Sequence, residues 1–152
     1  IDAYNIDVKG DEGFYRDICR GKLSPVLDGI ERIIAYGSHV EVTTLLIEGI
    51  HTEAMIGMLG RTLKDRGVEA WHLTRFFPAF RMIDRRATSE RFLSMMLESA
   101  DRSGIRYIFP GNSRQRRPLL CPICQKETSP VNGRCSECGS LIEGLSHPGT
   151  LS

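Results

Sequence analysis

Three glycines set the period of this sequence. Gly37, Gly67 and Gly104 each close a stretch whose apolar residues recur at helical spacing, and each is soon followed by a short β-branched or aromatic run. Helices commonly end at a residue free to turn left-handed, so the three glycines mark three helix ends. Taken with the runs between them, the chain reads strand, helix, strand, helix, strand, helix, strand. Parallel strands need such crossovers to bring the chain back to the same end of the sheet. The fold class is therefore α/β. The pattern fits either half of a parallel (β/α) barrel or part of an open doubly wound sheet, and in both the ligands gather at the C-terminal ends of the strands.

The local signals agree with that order. Ser24-Pro25 predicts a helix start, a capping hydroxyl with proline at the first helical position, and Val26, Leu27, Ile30, Ile33 and Ile34 form its apolar face. Val40 to Ile47 reads as the second strand. Thr52 with Glu53 opens the next helix, where Met55, Ile56, Leu59 and Leu63 are in phase. Gly57 and Gly60 inside it each cost roughly 1 kcal/mol against alanine, and mark either close packing or a weak helix. Ala70 to Phe77 is the third strand, stopped by Pro78; Thr88 or Ser89 caps a helix with Phe92, Leu93, Met96, Leu97 and Ala100 inward; Tyr107 to Phe109 is a short fourth strand. Asp11 to Lys22 is polar and turn-rich, with Phe14, Tyr15 and Ile18 as anchors.

The opening strand, Ile1 to Gly10, has a polar side. Asn5, Asp7 and Lys9 alternate with Tyr4, Ile6 and Val8. A strand buried among helices is normally apolar on both sides. A row of amide, carboxylate and ammonium is stable either as an ion pair on a solvated edge or as a grip on a polar ligand.

The composition, 41% apolar and 26% charged with a net charge of +1, is that of a soluble globular chain and points to neither a nucleic-acid nor a membrane-surface protein. No apolar run approaches the roughly 18 residues of a spanning helix, and the cytoplasm is the expected compartment. Because the chain opens directly in a strand pattern without methionine, it is expected to be the C-terminal portion of a longer protein, or a domain cut from one.

The tail carries its own chemistry. Cys121-Pro-Ile-Cys124 and Cys135-Ser-Glu-Cys138 are two Cys-x2-Cys turns. Each points two thiolates at one centre about 2.3 Å from each sulfur, and two turns complete a closed tetrahedral site. Asn132-Gly133 between them is a hairpin signal. The reading is a zinc ribbon, with iron in a rubredoxin-like site as the alternative metal, and its default role is structural. Arg114, Arg116, Arg117 and Lys126 are read as offsetting the thiolate charge rather than as contacts to nucleic acid. The expected division is 1–112 for the βα layer, 113–118 for a linker, 119–145 for the ribbon and 146–152 for a flexible end. Cys19, outside the cluster, is expected to behave as a small hydrophobe.

Four stretches carry a resemblance: Asp7-x-Lys9, Val40-Glu-Val-Thr-Thr-Leu-Leu-Ile-Glu-Gly49, Trp71-His-Leu-Thr-Arg-Phe-Phe-Pro78 and Tyr107-Ile-Phe-Pro-Gly-Asn112. Together they resemble the C-terminal half of a radical SAM enzyme, in the pyruvate formate-lyase activating enzyme-like branch known as the AmmeMemoRadiSam system radical SAM enzyme. The resemblance runs from Ile1 to about Cys124. It implies half of a partial (β/α) barrel in which S-adenosylmethionine (SAM) chelates a 4Fe–4S cluster and is cleaved to a 5′-deoxyadenosyl radical that abstracts hydrogen. Asp7 and Lys9, with Asn5 on the same side, would face SAM. Thr43 stands in register where the activating enzymes place an arginine, and Phe77 where they carry a histidine. Arg75 is the candidate to supply the missing positive charge.

His72, opposite Arg75 by alternation, is expected to be a hydrogen-bonded histidine between strand and helix, and His39 and His51 receive no role. The cluster's Cys-x3-Cys-x2-Cys motif is absent from these residues, so its ligands are expected outside this chain and the radical chemistry belongs to a full-length protein. A protein substrate is the partner the resemblance suggests; nucleic acid and membrane are not expected. The alternative is a binding module, with the ribbon presented to nucleic acid or protein on a βα scaffold.

Overall fold

Residues 3–142 are described in the computed structural model. The start of the opening strand at Ile1 and Asp2, the last residues assigned to the ribbon and the expected flexible end at 146–152 lie outside the described residues. Four strands, β1 (Ala3–Asp7), β2 (His39–Leu46), β3 (Ala70–Arg75) and β4 (Tyr107–Gly111), form one parallel sheet in sequential order. The short helix α1 (Glu12–Phe14) follows β1, and α2 (Ser24–Ala35), α3 (Glu53–Asp65) and α4 (Glu90–Asp101) make the crossovers.

One face of the sheet is the core face. Ile6, Val42, Trp71 and Ile108 are register partners in a row across all four strands, packed with Leu27, Ile30, Ile56, Leu63, Leu93 and Leu97 of the helices. A buried hydrogen-bond chain ties three strands together there. The Trp71 indole donates to Thr44 Oγ1 (3.0 Å), which donates to the Val8 carbonyl (2.6 Å). The opposite face carries the row Asp7, Thr43, His72 and Phe109 beside Asn5 and Glu41, all exposed or half-buried. The expected α/β alternation and polar side of β1 are both present.

The helix starts divide. Thr52 and Ser89 cap α3 and α4 by accepting the Met55 and Phe92 N–H groups at 3.2 and 3.1 Å. Helix α2 begins one residue earlier than predicted. Leu23 holds its cap position with helical dihedrals (φ −75°, ψ −37°), so the extended backbone a capping hydroxyl needs is missing and Ser24 makes no cap bond. The Leu23 N–H is instead met by the Glu12 carboxylate at 3.1 Å.

Gly60 settles the question about α3. A Cβ there would lie 2.6 Å from Ser103 Cβ and 2.9 Å from Trp71 Cζ3, so the glycine marks close packing. Between β1 and α2, Phe14 and Tyr15 are buried anchors, but the π-helical turn Tyr15–Cys19 sends Ile18 and Cys19 outward; Cys19 is exposed, not the buried small hydrophobe expected.

Strand β3 ends at Arg75, because beyond it the Phe76 carbonyl is taken by the Thr88 N–H (2.9 Å) from the segment leading into α4. Residues 113–118, the expected linker, run beside α4. Ser113 and Gln115 donate to Glu90, Gln115 also to Ser94, and Arg117 pairs with Asp101 through two bonds. Among the described residues, no helix is long and apolar enough to cross a membrane.

Candidate functional site

The C-terminal end of β1 is held by bonds from β2 and from His51. The Val8 N–H donates to the Thr43 carbonyl at 2.9 Å and the Val8 carbonyl receives Thr44. The buried His51 holds the next residue, its Nε2 2.9 Å from the Lys9 carbonyl while its Nδ1 accepts the Ile47 N–H at 3.0 Å. A carbonyl can only accept, so the His51 proton sits on Nε2. On this fixed backbone Lys9 Nζ and Asp7 Oδ2 are 2.9 Å apart, with side chains 48% and 62% exposed. Thr43 Oγ1 donates to Asn5 Oδ1 at 2.9 Å on the same face. The geometry is thus an ion pair on a solvated edge strand, held at the end of the sheet where α/β proteins bind ligands.

Arg75 does not join that group. Strand alternation turns Trp71, Leu73 and Arg75 to the helix side and His72 and Thr74 to the open side. Arg75 Nε donates to the Thr88 carbonyl (2.7 Å), its Nη1 pairs with Glu90 (2.6 Å), and its guanidinium lies over the Phe77 ring. The sidedness expected of His72 is reversed by the same alternation. His72 stands on the open face, its Nε2 2.8 Å from one oxygen of Glu41, and His39 Nε2 is 3.3 Å from the other. The His72 bond first, against the cost of burial, and the His39 bond after it hold the Glu41 carboxyl down at about 2. This His39–Glu41–His72 array was missed in the sequence. The available signal was that His39, Glu41 and Thr43 share one side of a strand by alternation.

The second site is the tail. The four cysteine sulfurs all lie within 4.8 Å of one another, with Cys121–Cys138 at 3.6 Å and Cys124–Cys135 at 3.8 Å. Sulfurs bound tetrahedrally at about 2.3 Å are about 3.8 Å apart, so the donor set fits a single metal ion.

The two turns are built alike. The Ile123 N–H points at Cys121 Sγ and the Glu137 N–H at Cys135 Sγ (3.4 and 3.3 Å), and each turn closes through a left-handed residue, Gln125 (φ 59°) and Gly139 (φ 73°). Asn132 (φ 51°) and Gly133 (φ 71°) form the expected hairpin, with Val131 and Arg134 exchanging 3.0 Å backbone bonds. The thiols resist bearing charge together. The Thr128 hydroxyl, chiefly, draws Cys135 down to about 6; at Cys124 the Lys126 N–H lowers the value, but burial and the three neighbouring sulfurs outweigh it and push the thiol up to about 11. A cation resolves that conflict.

An open-faced parallel βα layer joined to a four-cysteine centre is the class of protein these features define. The fold is similar to that of a domain of a pyruvate-formate lyase-activating enzyme from Bacteroides vulgatus, with a TM-score of 0.60 over 73% of this chain and 68% of that one. At 18% identity that likeness is one of fold. In sequence the chain is similar to an uncharacterized protein of Methanocaldococcus jannaschii, 30% identical over 129 residues. The match covers 82% of this chain and spans 39% of the relative's length. No protein-family model matches the sequence.

Proposed function

We propose that this chain is the C-terminal half of a radical SAM barrel within a longer protein, and that its open sheet face contributes to binding SAM. The observation that carries the reading is the clamped end of β1, where Asp7 and Lys9 stand on the side of a parallel sheet that carries no helix among the described residues. The likeness to a domain of an activating enzyme supports it.

The residues suit the cofactor chemically. The Lys9 ammonium matches the methionyl carboxylate, and the Asp7 carboxylate matches the amino group or a ribose hydroxyl. Asn5 and Thr43 extend the polar floor beneath them. Arg75, engaged by Glu90 and Thr88, is assigned to bracing the end of β3. When bound, SAM supplies the 5′-deoxyadenosyl radical. This chain's cysteines do not fit the 4Fe–4S cluster, because the four sulfurs of the tail lie within 4.8 Å of one another, the spread of ligands on a single ion, and Cys19 stands alone. The tail holds zinc in a closed site with no position for substrate. A protein substrate is the partner class to which the activating-enzyme likeness points.

The test is Asp7→Asn in the full-length protein. Losing a charged hydrogen bond to SAM is worth about 1.5–3 kcal/mol, so SAM cleavage should fall about ten- to hundredfold with an unchanged melting temperature. Undiminished cleavage by that variant would overturn the assignment.

A further inference from the structure

Between β3 and α4 the chain makes a loop at the C-terminal end of the sheet, with a single 3₁₀ turn, Phe80–Met82, at its middle. Met82 anchors the turn. It packs with Phe14, Ile47, Ile50 and Phe76 in a small core built from the segments that follow β1, β2 and β3. That core adjoins the clamped end of β1, since the Phe14 ring lies 5.2 Å from the ring of His51, whose Nε2 meets the Lys9 carbonyl. The turn closes with the Ile83 N–H on the Phe80 carbonyl. Side chains three residues apart eclipse in such a turn, so Phe80 and Ile83 fall on one side of it. Both stand in solvent, 96% and 63% exposed, and Phe77 is exposed beside Arg75. Phe80 also has a left-handed backbone (φ 48°), which a bulky residue rarely adopts. Strained positions of this kind gather where ligands are gripped. Arg81, Arg85 and Arg86 are exposed in the same loop, and none has an acidic partner among the described residues.

We infer that this loop docks an acidic segment of a partner protein, whose apolar side chains cover Phe80 and Ile83 while its carboxylates meet Arg81, Arg85 and Arg86. Charge and apolar surface together select that occupant. Against three unpaired guanidinium groups the loop carries one carboxylate, Asp84, in a chain whose net charge is only +1. Carboxylates match the guanidinium fork with two hydrogen bonds each. Arginine and phenylalanine are enriched where proteins meet, and exposed apolar groups rimmed by polar ones mark such places. A nucleic-acid strand is disfavoured because the aliphatic Ile83 offers no ring for a base to stack on and Asp84 would repel phosphate. A bilayer is disfavoured because, pressed on the loop, it would cover the end of the sheet where Asp7 and Lys9 stand. The docking stands on the loop; that the docked protein is a substrate rests on the radical SAM reading proposed above.

The probe is the blocked peptide Asp-Leu-Glu-Phe-Asp-Leu-Glu added to the metal-loaded chain, with amide shifts read by NMR and affinity by titration. Shifts should centre on residues 77–87, and affinity should fall as salt is raised. Arg85→Ala combined with Arg86→Ala should weaken binding about tenfold, and Phe80→Ala about fivefold. Melting temperatures should stay as they were, because those side chains are exposed. The same peptide with Asn and Gln in place of Asp and Glu should bind about tenfold more weakly. Asp7→Asn, the test of the SAM reading, should leave peptide binding unchanged, so the two readings fail separately. Unmoved loop amides, equal binding of the neutral peptide, or native affinity in the loop variants would each overturn the proposal. Tighter binding of a single-stranded oligonucleotide, or of vesicles containing phosphatidylserine, through the same loop would overturn it as well by making nucleic acid or membrane the occupant.

Discussion

Burial leaves His51 little freedom to take a proton. It is 2% exposed, and desolvation depresses its pKa below the ordinary 6.5 despite opposing bonds from Lys9 and Ile47. A second proton would also have to go onto Nδ1, where it would displace the Ile47 N–H. Above about pH 6.5 the group is neutral in folded and unfolded chains alike, and contributes no slope. As pH falls through that value the unfolded chain binds a proton and the folded one does not, so stability drops. Denaturant titrations between pH 7.5 and about pH 5 should therefore show a steeper loss for the native chain than for His51→Gln, and parallel curves would refute the role. The Glu41 carboxylate acts in a separate window, below its ordinary 4.5 and down to about 2, and leaves that comparison clean. At this scale the side of a strand was legible and the partner was not. Alternation placed Asp7 and Lys9 together, whereas the contact of Glu41 with His72 joins residues 31 apart in sequence.

The helices owe their starts to local chemistry and their positions to close approach. Thr52, and Ser89 as one of two adjacent candidates, were readable as caps because the extended cap residue and the N–H that donates to it lie within one turn. Ser24 carried the same signal, yet Glu12, eleven residues back, supplies the bond to Leu23 instead. The two glycines in α3 separate in the same way. At Gly60 an added methyl meets Ser103 and Trp71, and overpacking of this kind costs about 1–3 kcal/mol, so Gly60→Ala should lower stability by that amount. At Gly57 the nearest atom, Ser99 Oγ, is 3.5 Å away. Gly57→Ala should therefore be neutral or stabilise by up to about 1 kcal/mol. Urea titrations of the two variants check the pair, and equal effects would mean that the contact with Trp71 does not constrain α3.

At the scale of the molecule, the main core of the βα layer and the core of the tail meet at β4. The βα layer packs around Trp71 and Leu73, while the tail packs Ile142 against Cys121 and Cys135, with Tyr107 of β4 and Leu119 between them. The tail's own core is small, so its order is expected to depend on a metal ion held by the four sulfurs. Chelation should release one zinc per chain and raise amide exchange across residues 119–142, with the helical circular dichroism of the larger layer retained. Loss of both together would show that the layer depends on the tail.

Period and punctuation alone determined the parallel βα order, the polar side of β1, the hairpin at Asn132-Gly133 and the four-sulfur centre. Each is decided by residues within a few positions of one another, or by an alternation that the backbone enforces. The partners that engage Arg75, the exposure of Cys19 and the histidine pair on Glu41 were decided only by tertiary structure. They depend on which distant segments come to lie side by side, and short-range spacing holds no record of that.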